Sequence, residues 1–245
     1  MDVSLYQAAA AMNATARWQE LIADNLAGAS TPGSRRSEVS FSSVQAGLAS
    51  GVPGSGYVIP SASSSLNFEP GENRPTGGAT DLALEGPGMF TVQLPGGQKA
   101  YTRDGEFQVS AQGQLLTTQG FPVLGDSGPI QLDSGNSSPI TVAATGEISQ
   151  GSERKGKIQV TEFDSPNLLT AMGGSLYRAD DPALKPTAAT ATQVRQGFVE
   201  SSNTSPTAEM ASLITAMRLF ESNQKVLQMQ SDRMSKEISD LGSPA

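Results

Sequence analysis

Apolar side chains recur every seven residues at both ends of this chain, and the roughly 170 residues between the ends show no such period. In the C-terminal stretch, 206–241, the residues at strict seven-residue intervals are Leu213, Phe220, Leu227, Met234 and Leu241, and those at the complementary positions are Met210, Met217 and Ile238. A seam with this period predicts one long helix. Such a helix needs a partner that covers the seam.

The N-terminal stretch, 2–27, carries a thinner version of the same pattern. Leu5, Met12 and Leu26 share one register, and Ala8 and Ile22 share the other. This predicts a second helix with an alanine-rich seam. Two seams of similar length in one chain suggest that the N- and C-terminal helices pair as a coiled coil, in a helical domain formed by residues 1–30 and 206–245.

The middle of the chain reads as short strands and turns. Residues 31–80 are expected to be an extended connector, because 47–65 consists mainly of Gly, Ser and Pro. From residue 81 to residue 205, β-prone runs alternate with turn signals, which predicts a mainly antiparallel β domain. Among these signals, Asp104-Gly105 most strongly predicts a hairpin turn. The expected fold class is therefore α+β.

Signals at the helix ends agree with this division. Gly28, Pro32 and Gly33 predict the end of the first helix. Ser205 and Pro206 predict the start of the last helix, since Ser is a favoured N-cap and Pro suits the first turn.

Composition excludes several classes of function. The formal net charge is 16 − 24 = −8, which disfavours binding to nucleic acid. The chain has no Cys and no His, so a thiolate or imidazole metal site and a Ser-His-Asp triad are excluded. No apolar run reaches the ~20 residues that span a bilayer, and the N-terminus does not resemble a signal peptide. We expect no cofactor, no metal site and no catalytic residue.

One motif resembles a phosphate-binding loop. Residues 151–157 have the spacing of a P-loop up to Lys157, but Ile158 stands where Ser or Thr would hold magnesium. The residues that follow alternate like a strand, whereas a P-loop leads into a helix. We therefore interpret the segment as a charged hairpin turn.

Several strings together resemble the bacterial flagellar rod and hook protein family. The first is 23–33, and the second is 81–90, Asp-Leu-Ala-Leu-Glu-Gly-Pro-Gly-Met-Phe. A third begins with Tyr-Thr-Arg-Asp-Gly-Glu-Phe at 101–107, and two more lie at 196–203 and 217–225. The residues that carry the terminal motifs are Asn25, Leu26, Thr31, Pro32, Gly33, Glu200, Ser202 and Asn203. The strings occur in the family's order and cover both termini and most of the middle.

The resemblance implies a structural subunit of the flagellar basal-body rod. Such a subunit would leave the cytoplasm through the flagellar type III export apparatus and polymerise with itself and other rod subunits into the shaft that crosses the periplasm. Within the family, length and the N-terminal residues are most similar to the proximal-rod member, with the distal-rod member as the near alternative. The expected assembly interface comprises Leu5, Met12, Ile22, Leu26, Met210, Leu213, Met217, Phe220, Leu227, Met234, Ile238 and Leu241.

Two questions stay open at this level. Phe41 and Val44 lie in a short apolar element that either belongs to an export signal or packs against the β domain. The alternative classes of function are a β-rich adhesin or fibre protein with heptad ends and, with less support, an extracellular hydrolase. An enzyme of the latter kind would need a carboxylate pair, which no motif indicates.

Overall fold

A computed structural model of the chain describes residues 3–46 and 57–242. Its two α-helices are α1, Val3–Gly28, and α2, Pro206–Gly242. α2 begins at Pro206, as the sequence predicts, and the Glu209 backbone N–H donates to the carbonyl of Ser205. Within the described residues, neither helix is long and apolar enough to cross a membrane.

The β-strands lie between the helices and are short. In chain order they are β1 Ser37–Ala46, β2 Tyr57–Leu66, β3 Asn73–Pro75, β4 Leu82–Glu85, β5 Met89–Gln93, β6 Lys99–Thr102, β7 Phe107–Val109, β8 Leu115–Thr117, β9 Leu124–Gly125, β10 Gly128–Pro129, β11 Ile140–Val142, β12 Glu147–Gln150, β13 Glu153–Lys157, β14 Val160–Glu162, β15 Thr170–Gly173, β16 Leu176–Arg178, β17 Thr187–Ala188, β18 Gln193–Gln196 and β19 Phe198–Glu200. The pairs formed by these strands are antiparallel, which confirms the mainly antiparallel β prediction.

The chain divides into two compact units. The first, called the helical unit here, contains residues 1–26, 37–66 and 205–245. The second, called the β unit, contains residues 27–36 and 67–204. The domain boundaries expected from the sequence, including a connector over 31–80, stay a prediction, although β1, β2 and β3 lie within that stretch. Residues 47–56 of the expected connector lie outside the described part of the chain.

The helical unit combines α1 and α2 with a long hairpin. β1 and β2 pair without interruption from Ser37 opposite Leu66 to Ala46 opposite Tyr57. The rings of Trp18 on α1 and Phe41 on β1 meet edge to face, with centroids 5.7 Å apart. α1 therefore packs on the hairpin as well as facing α2.

The expected coiled coil between α1 and α2 is wrong. The side-chain hydrogen bonds that join the two helices are polar, from Asn25 Nδ2 to Glu209 Oε2 at 3.4 Å and from Asn223 Nδ2 to Thr15 Oγ1 at 3.5 Å. Met210 and Met217, expected inside the seam, are exposed.

The correction has a simple geometric reason. A seven-residue apolar period fixes one row of a helix but leaves open which neighbouring row turns inward with it. On α2 the row that turns inward together with Leu213, Phe220 and Leu227 lies four residues before them. It contains Glu209 and Ala216, which are buried, and Asn223, which is half-buried. Small and polar residues therefore face inward where knobs of a coiled coil were expected, and methionines face outward.

The β unit is organised around one six-stranded sheet of order β15-β16-β6-β5-β14-β17. Smaller sheets complete the unit. Buried apolar side chains from the strands and the segments between them form a core cluster that includes Leu82, Phe90, Val92, Phe107 and Ile158. The rings of Phe90 and Phe107 meet edge to face at 5.0 Å. The sequence-predicted β region thus has its own core.

Two turn predictions had opposite outcomes. Residues 151–157 form the predicted charged hairpin, with Gly151 in the turn between β12 and β13. The predicted Asp104-Gly105 hairpin is wrong, because β6 pairs with β5 and β16 while β7 pairs with β8. Glycine is required at position 105 for a different reason, because a Cβ there would lie 1.6 Å from the carbonyl oxygen of Leu82. The two residues are held close together by a hydrogen bond from the Leu82 N–H to the Gly105 carbonyl.

Candidate assembly site

The outer surface of α2 carries two rows of exposed apolar side chains. The first contains Met210, Ile214 and Met217, which follow one another at spacings of four and three residues and so share a face. The second contains Leu219 and Val226, seven residues apart, and continues to Met229. Each of these side chains is more than a third exposed.

The inward face of α2 is a third apolar row. Leu213, Phe220 and Leu227 are half-buried, and Ala216 beside them is fully buried. α2 thus presents apolar side chains in three directions, whereas an ordinary surface helix has one apolar stripe. Met234, expected on the inward seam, is also exposed.

The N-terminal members of the expected interface lie mostly inside the helical unit. Ile22 is buried, and Met12 and Leu26 are half-buried. These three residues therefore stabilise α1 in its unit, and their part in an assembly interface stays a prediction. The side chains of Leu5, Ile238 and Leu241 lie outside the described part of the chain.

Asn25 is the polar centre of the helical unit. Its side-chain oxygen accepts the backbone N–H of Ser37 at 2.7 Å, and its Nδ2 donates to the Ser37 carbonyl at 2.8 Å. The same amide reaches Glu209 Oε2 at 3.4 Å. One buried side chain of the N-terminal motif thus fixes the end of α1 to the first residue of β1 and to the first turn of α2.

Glu200 is the centre of a buried charge cluster in the β unit. Its carboxylate lies 2.7 Å from Arg35 Nη2 and 3.2 Å from Arg103 Nη1, and all three side chains are almost completely buried. The Gly71 N–H also donates to Glu200 Oε1 at 2.9 Å. Arg103 donates further to the carbonyls of Leu84 and Gly86. Two guanidinium groups share one carboxylate, so Glu200 is the counter-charge of both arginines.

Burial and charge shift the acid–base equilibria in this cluster. Desolvation lowers the pKa of Arg103 to about 10, although the charge of Glu200 opposes the shift. Burial raises the pKa of Tyr177 to about 12, and its hydroxyl accepts the backbone N–H of Arg35 at 3.2 Å. At neutral pH Arg103 is therefore cationic and Tyr177 is a neutral phenol.

Asn203 joins three passages of the chain within the β unit. Its Oδ1 accepts the backbone N–H of Arg36 at 2.7 Å. Its Nδ2 donates to the carbonyls of Asn67 and Glu69 at 2.9 and 3.0 Å. Ser202, its neighbour, accepts the N–H of Thr204. Asn203 and Ser202 thus fix the segment that follows β19.

The Thr31-Pro32-Gly33 turn is held by backbone contacts. The Thr31 N–H donates to the Gly28 carbonyl, and the Pro32 carbonyl accepts the Ser175 hydroxyl at 3.0 Å. Gly33 has a φ of +65° and donates its N–H to the carbonyl of Glu200. A Cβ at Gly33 would lie 2.3 Å from the Arg103 backbone, so no other residue fits there.

Sequence reasoning found part of these networks. Arg103 and Glu200 lie in quoted family strings, but their ion pair joins residues 97 positions apart, a separation that local patterns do not reveal. Arg35 was missed because arginines that follow a turn, such as Arg35 and Arg36, normally lie in solvent. Across the described ranges, no group of three or more acidic residues could hold a metal ion.

Comparisons with known proteins agree with these motifs. A family model described as "Flagellar hook protein FlgE/F/G D1 domain" matches residues 83–150, and one described as "Flagellar basal body rod FlgEFG protein C-terminal" matches residues 195–241. The first match includes Arg103, and the second includes Glu200 and nearly all of α2.

Full-length relatives extend the similarity. Flagellar basal-body rod protein FlgF of Caulobacter vibrioides is 34% identical over 245 residues, covering 99% of each chain. FlgF of Escherichia coli is 33% identical and covers 93% of each chain. Flagellar basal-body rod protein FlgG of Buchnera aphidicola is 32% identical over 90% of this chain and 92% of its own.

Proposed function

This chain belongs to the flagellar basal-body rod protein family, and on that premise we propose how it is built into the rod. The protein is a structural subunit of the bacterial flagellar basal-body rod, where it is located with other rod components. FlgF relatives match at least as well as the FlgG relative, so the similarity to the proximal-rod member expected from the sequence is confirmed.

The proposed surface of polymerisation is the outer side of α2. The observation that carries this proposal is the apolar character of α2 in three directions, of which the helical unit covers one. Two exposed apolar rows on one helix are unfavourable in water and mark an interaction surface. Neighbouring subunits that pack against the Met210 row and the Leu219 row would cover both.

A helical shaft follows from such contacts. The two rows face different directions, so one subunit meets different neighbours through different surfaces. Heterologous contacts that do not close into a ring generate an open helical filament. We propose that the protein transmits torque mechanically in this filament and catalyses no reaction.

The route to the rod is a separate proposal. We infer export through the flagellar type III apparatus and propose that the signal lies in 36–46, a segment that contains β1 of the hairpin. The contact between Phe41 and Trp18 gives this segment a structural role in the folded subunit, so an export role must act before folding. Deletion of 36–46 should trap the protein in the cytoplasm. Wild-type amounts of the deleted protein in the periplasm would remove the export role.

Incorporation of a surface variant tests the polymerisation surface. Met217→Asp places a carboxylate on an exposed position of α2, so the free subunit should fold and be exported normally. In the rod the same carboxylate would be buried against a neighbour, which costs several kcal/mol. We expect Met217→Asp to be absent from purified basal bodies and its cells to be non-motile. The matched control is Met172→Asp on β15 of the β unit, where Met172 has similar exposure.

The control separates two interpretations. If Met172→Asp is incorporated and Met217→Asp is not, the effect belongs to the α2 surface rather than to an added charge. Normal incorporation and swimming with Met217→Asp would contradict the proposed surface.

A further inference from the structure

Half of the methionines of this chain lie on α2, and their thioethers are open to solvent. The chain has 8 Met. The side chains of Met210, Met217, Met229 and Met234 are 56%, 50%, 63% and 40% exposed. By contrast, Met89 in the core of the β unit is 1% exposed.

Because the sequence contains no Cys, no thiol in the chain competes with these thioethers for oxidants. A peroxide oxidises an accessible methionine by transferring one oxygen atom to sulfur. An S–O bond forms and the peroxide O–O bond breaks, so sulfur loses two electrons and hydrogen peroxide is reduced to water. The product, methionine sulfoxide, has a polar S=O group where the thioether was apolar.

We propose that the exposed methionines of α2 form an oxidation switch that controls whether a free subunit can enter the rod. This inference rests on the proposed function, in which the outer rows of α2 become buried against neighbouring subunits. A sulfoxide in such a contact must lose its water without gaining a hydrogen-bond donor, and each buried sulfoxide should weaken binding by about tenfold or more. Sulfoxides at the interface exclude the subunit, and burial in the rod protects the thioethers.

The positions of three of the four methionines suit such a switch. Met210 and Met217 belong to the first exposed row, and Met229 continues the second, so oxidation would affect both proposed contact surfaces. The change is reversible, since methionine sulfoxide reductases restore the thioether. An oxidised subunit would therefore be repaired and used rather than lost.

The test uses the full-length subunit, hydrogen peroxide and incomplete basal bodies purified from cells that lack this subunit. Peptide mass spectrometry after peroxide treatment should find sulfoxide at the four α2 positions well before Met89 is oxidised. Treated wild-type protein should lose co-sedimentation with the incomplete basal bodies by about tenfold or more. Treatment with a methionine sulfoxide reductase should restore it.

Two variants locate the effect. A variant with Leu at Met210, Met217, Met229 and Met234 keeps the apolar rows and should co-sediment equally before and after peroxide. Met172→Leu removes an exposed methionine of the β unit and should remain as sensitive as the wild type. The untreated wild type must co-sediment for the proposed function to stand, whereas the difference between treated and untreated protein decides the switch.

Three results would overturn the switch. The first is full co-sedimentation of wild-type protein that carries sulfoxide at all four positions. The second is equal peroxide sensitivity of the four-Leu variant and the wild type. The third is a loss of co-sedimentation that reductase treatment does not reverse.

Discussion

Asn25 and Glu209 lie 184 positions apart in the sequence, yet the amide of the first donates to the carboxylate of the second at 3.4 Å and both side chains are buried. This contact joins the last turns of α1 to the first turn of α2. It places a hydrogen bond where a coiled coil would have an apolar layer. The inward face of α2 thus combines polar contacts with the half-buried row of Leu213, Phe220 and Leu227. Its two other apolar rows are left for neighbours.

Replacement of Asn25 by Ala should destabilise the helical unit. The change leaves the backbone groups of Ser37 and the Glu209 carboxylate without this partner, and each unmet buried group costs about 1–3 kcal/mol. The chain contains one Trp, and Trp18 lies in this unit, so its fluorescence in urea reports the unfolding of the unit. Asn13→Ala, at an exposed position of α1, is the control and should be nearly neutral. Equal stability of the two variants would contradict the role of Asn25.

Removal of the Glu200 charge should be more damaging than removal of Arg35. Glu200→Gln leaves two buried guanidinium groups without a counter-charge, which costs about 3–5 kcal/mol. Arg35→Met leaves one arginine paired with one carboxylate and should cost clearly less. Glu85→Gln, which breaks an ion pair of exposed groups with Arg195, should cost at most about 1 kcal/mol. Near-UV circular dichroism in urea measures the free energy of unfolding of the three variants. A larger loss of stability for Arg35→Met than for Glu200→Gln would contradict the charge balance.

Two glycine substitutions distinguish backbone strain from a steric collision. Gly33 and Gly96 both have positive φ, +65° and +91°. A Cβ at Gly96 meets nothing within 4 Å, whereas a Cβ at Gly33 meets the Arg103 backbone. Gly96→Ala should therefore cost about 1–2 kcal/mol from the left-handed conformation alone. Gly33→Ala should cost several kcal/mol more or prevent folding, as measured by thermal unfolding. Similar costs for both would show that the turn around Gly33 can move.

The ionisation of Asp104 should make the stability of the protein depend on pH. Burial raises the pKa of its carboxyl from 3.8 to about 6, with Glu106 and Asp81 contributing repulsion. The folded state therefore binds the proton of the Asp104 carboxyl more tightly than the unfolded state does. The contribution of this proton to the free energy of unfolding is complete below pH ~4 and is lost as the pH rises through about 6. The loss is on the order of 2–3 kcal/mol. Asp104→Asn cannot ionise, so its stability relative to wild type should increase between pH 4 and pH 7. Parallel stability curves over this range would contradict the shift.

The sequence was sufficient for features that depend on local patterns. The limits of the helical stretches, the start of α2 at Pro206 and the hairpin at 151–157 follow from residue period and turn chemistry. The family strings also contain Asn25, Gly33 and Glu200. In the structure each of these residues joins parts of the chain that are distant in sequence, which local patterns do not show.

The predictions were wrong where a local sequence pattern is compatible with two different structures. A seven-residue period did not determine which row of α2 turns inward, because that choice depends on Asn25, Thr15 and the partner helix. Asp104-Gly105 has the composition of a hairpin turn, but Gly105 is required for a close approach to Leu82 instead. In both cases tertiary contacts decided between structures that the local sequence permits equally.

The most direct test of the central claim is the accessibility of Met217 before and after assembly. Since the chain has no Cys, Met217→Cys introduces a single thiol that a maleimide can label. The free subunit should react rapidly, because this position is exposed on α2. In purified basal bodies the same thiol should be protected, and denaturation should restore full labelling as the reference. Labelling at the same rate in the free subunit and in intact basal bodies that contain the variant would contradict the claim that the outer surface of α2 is buried in the rod.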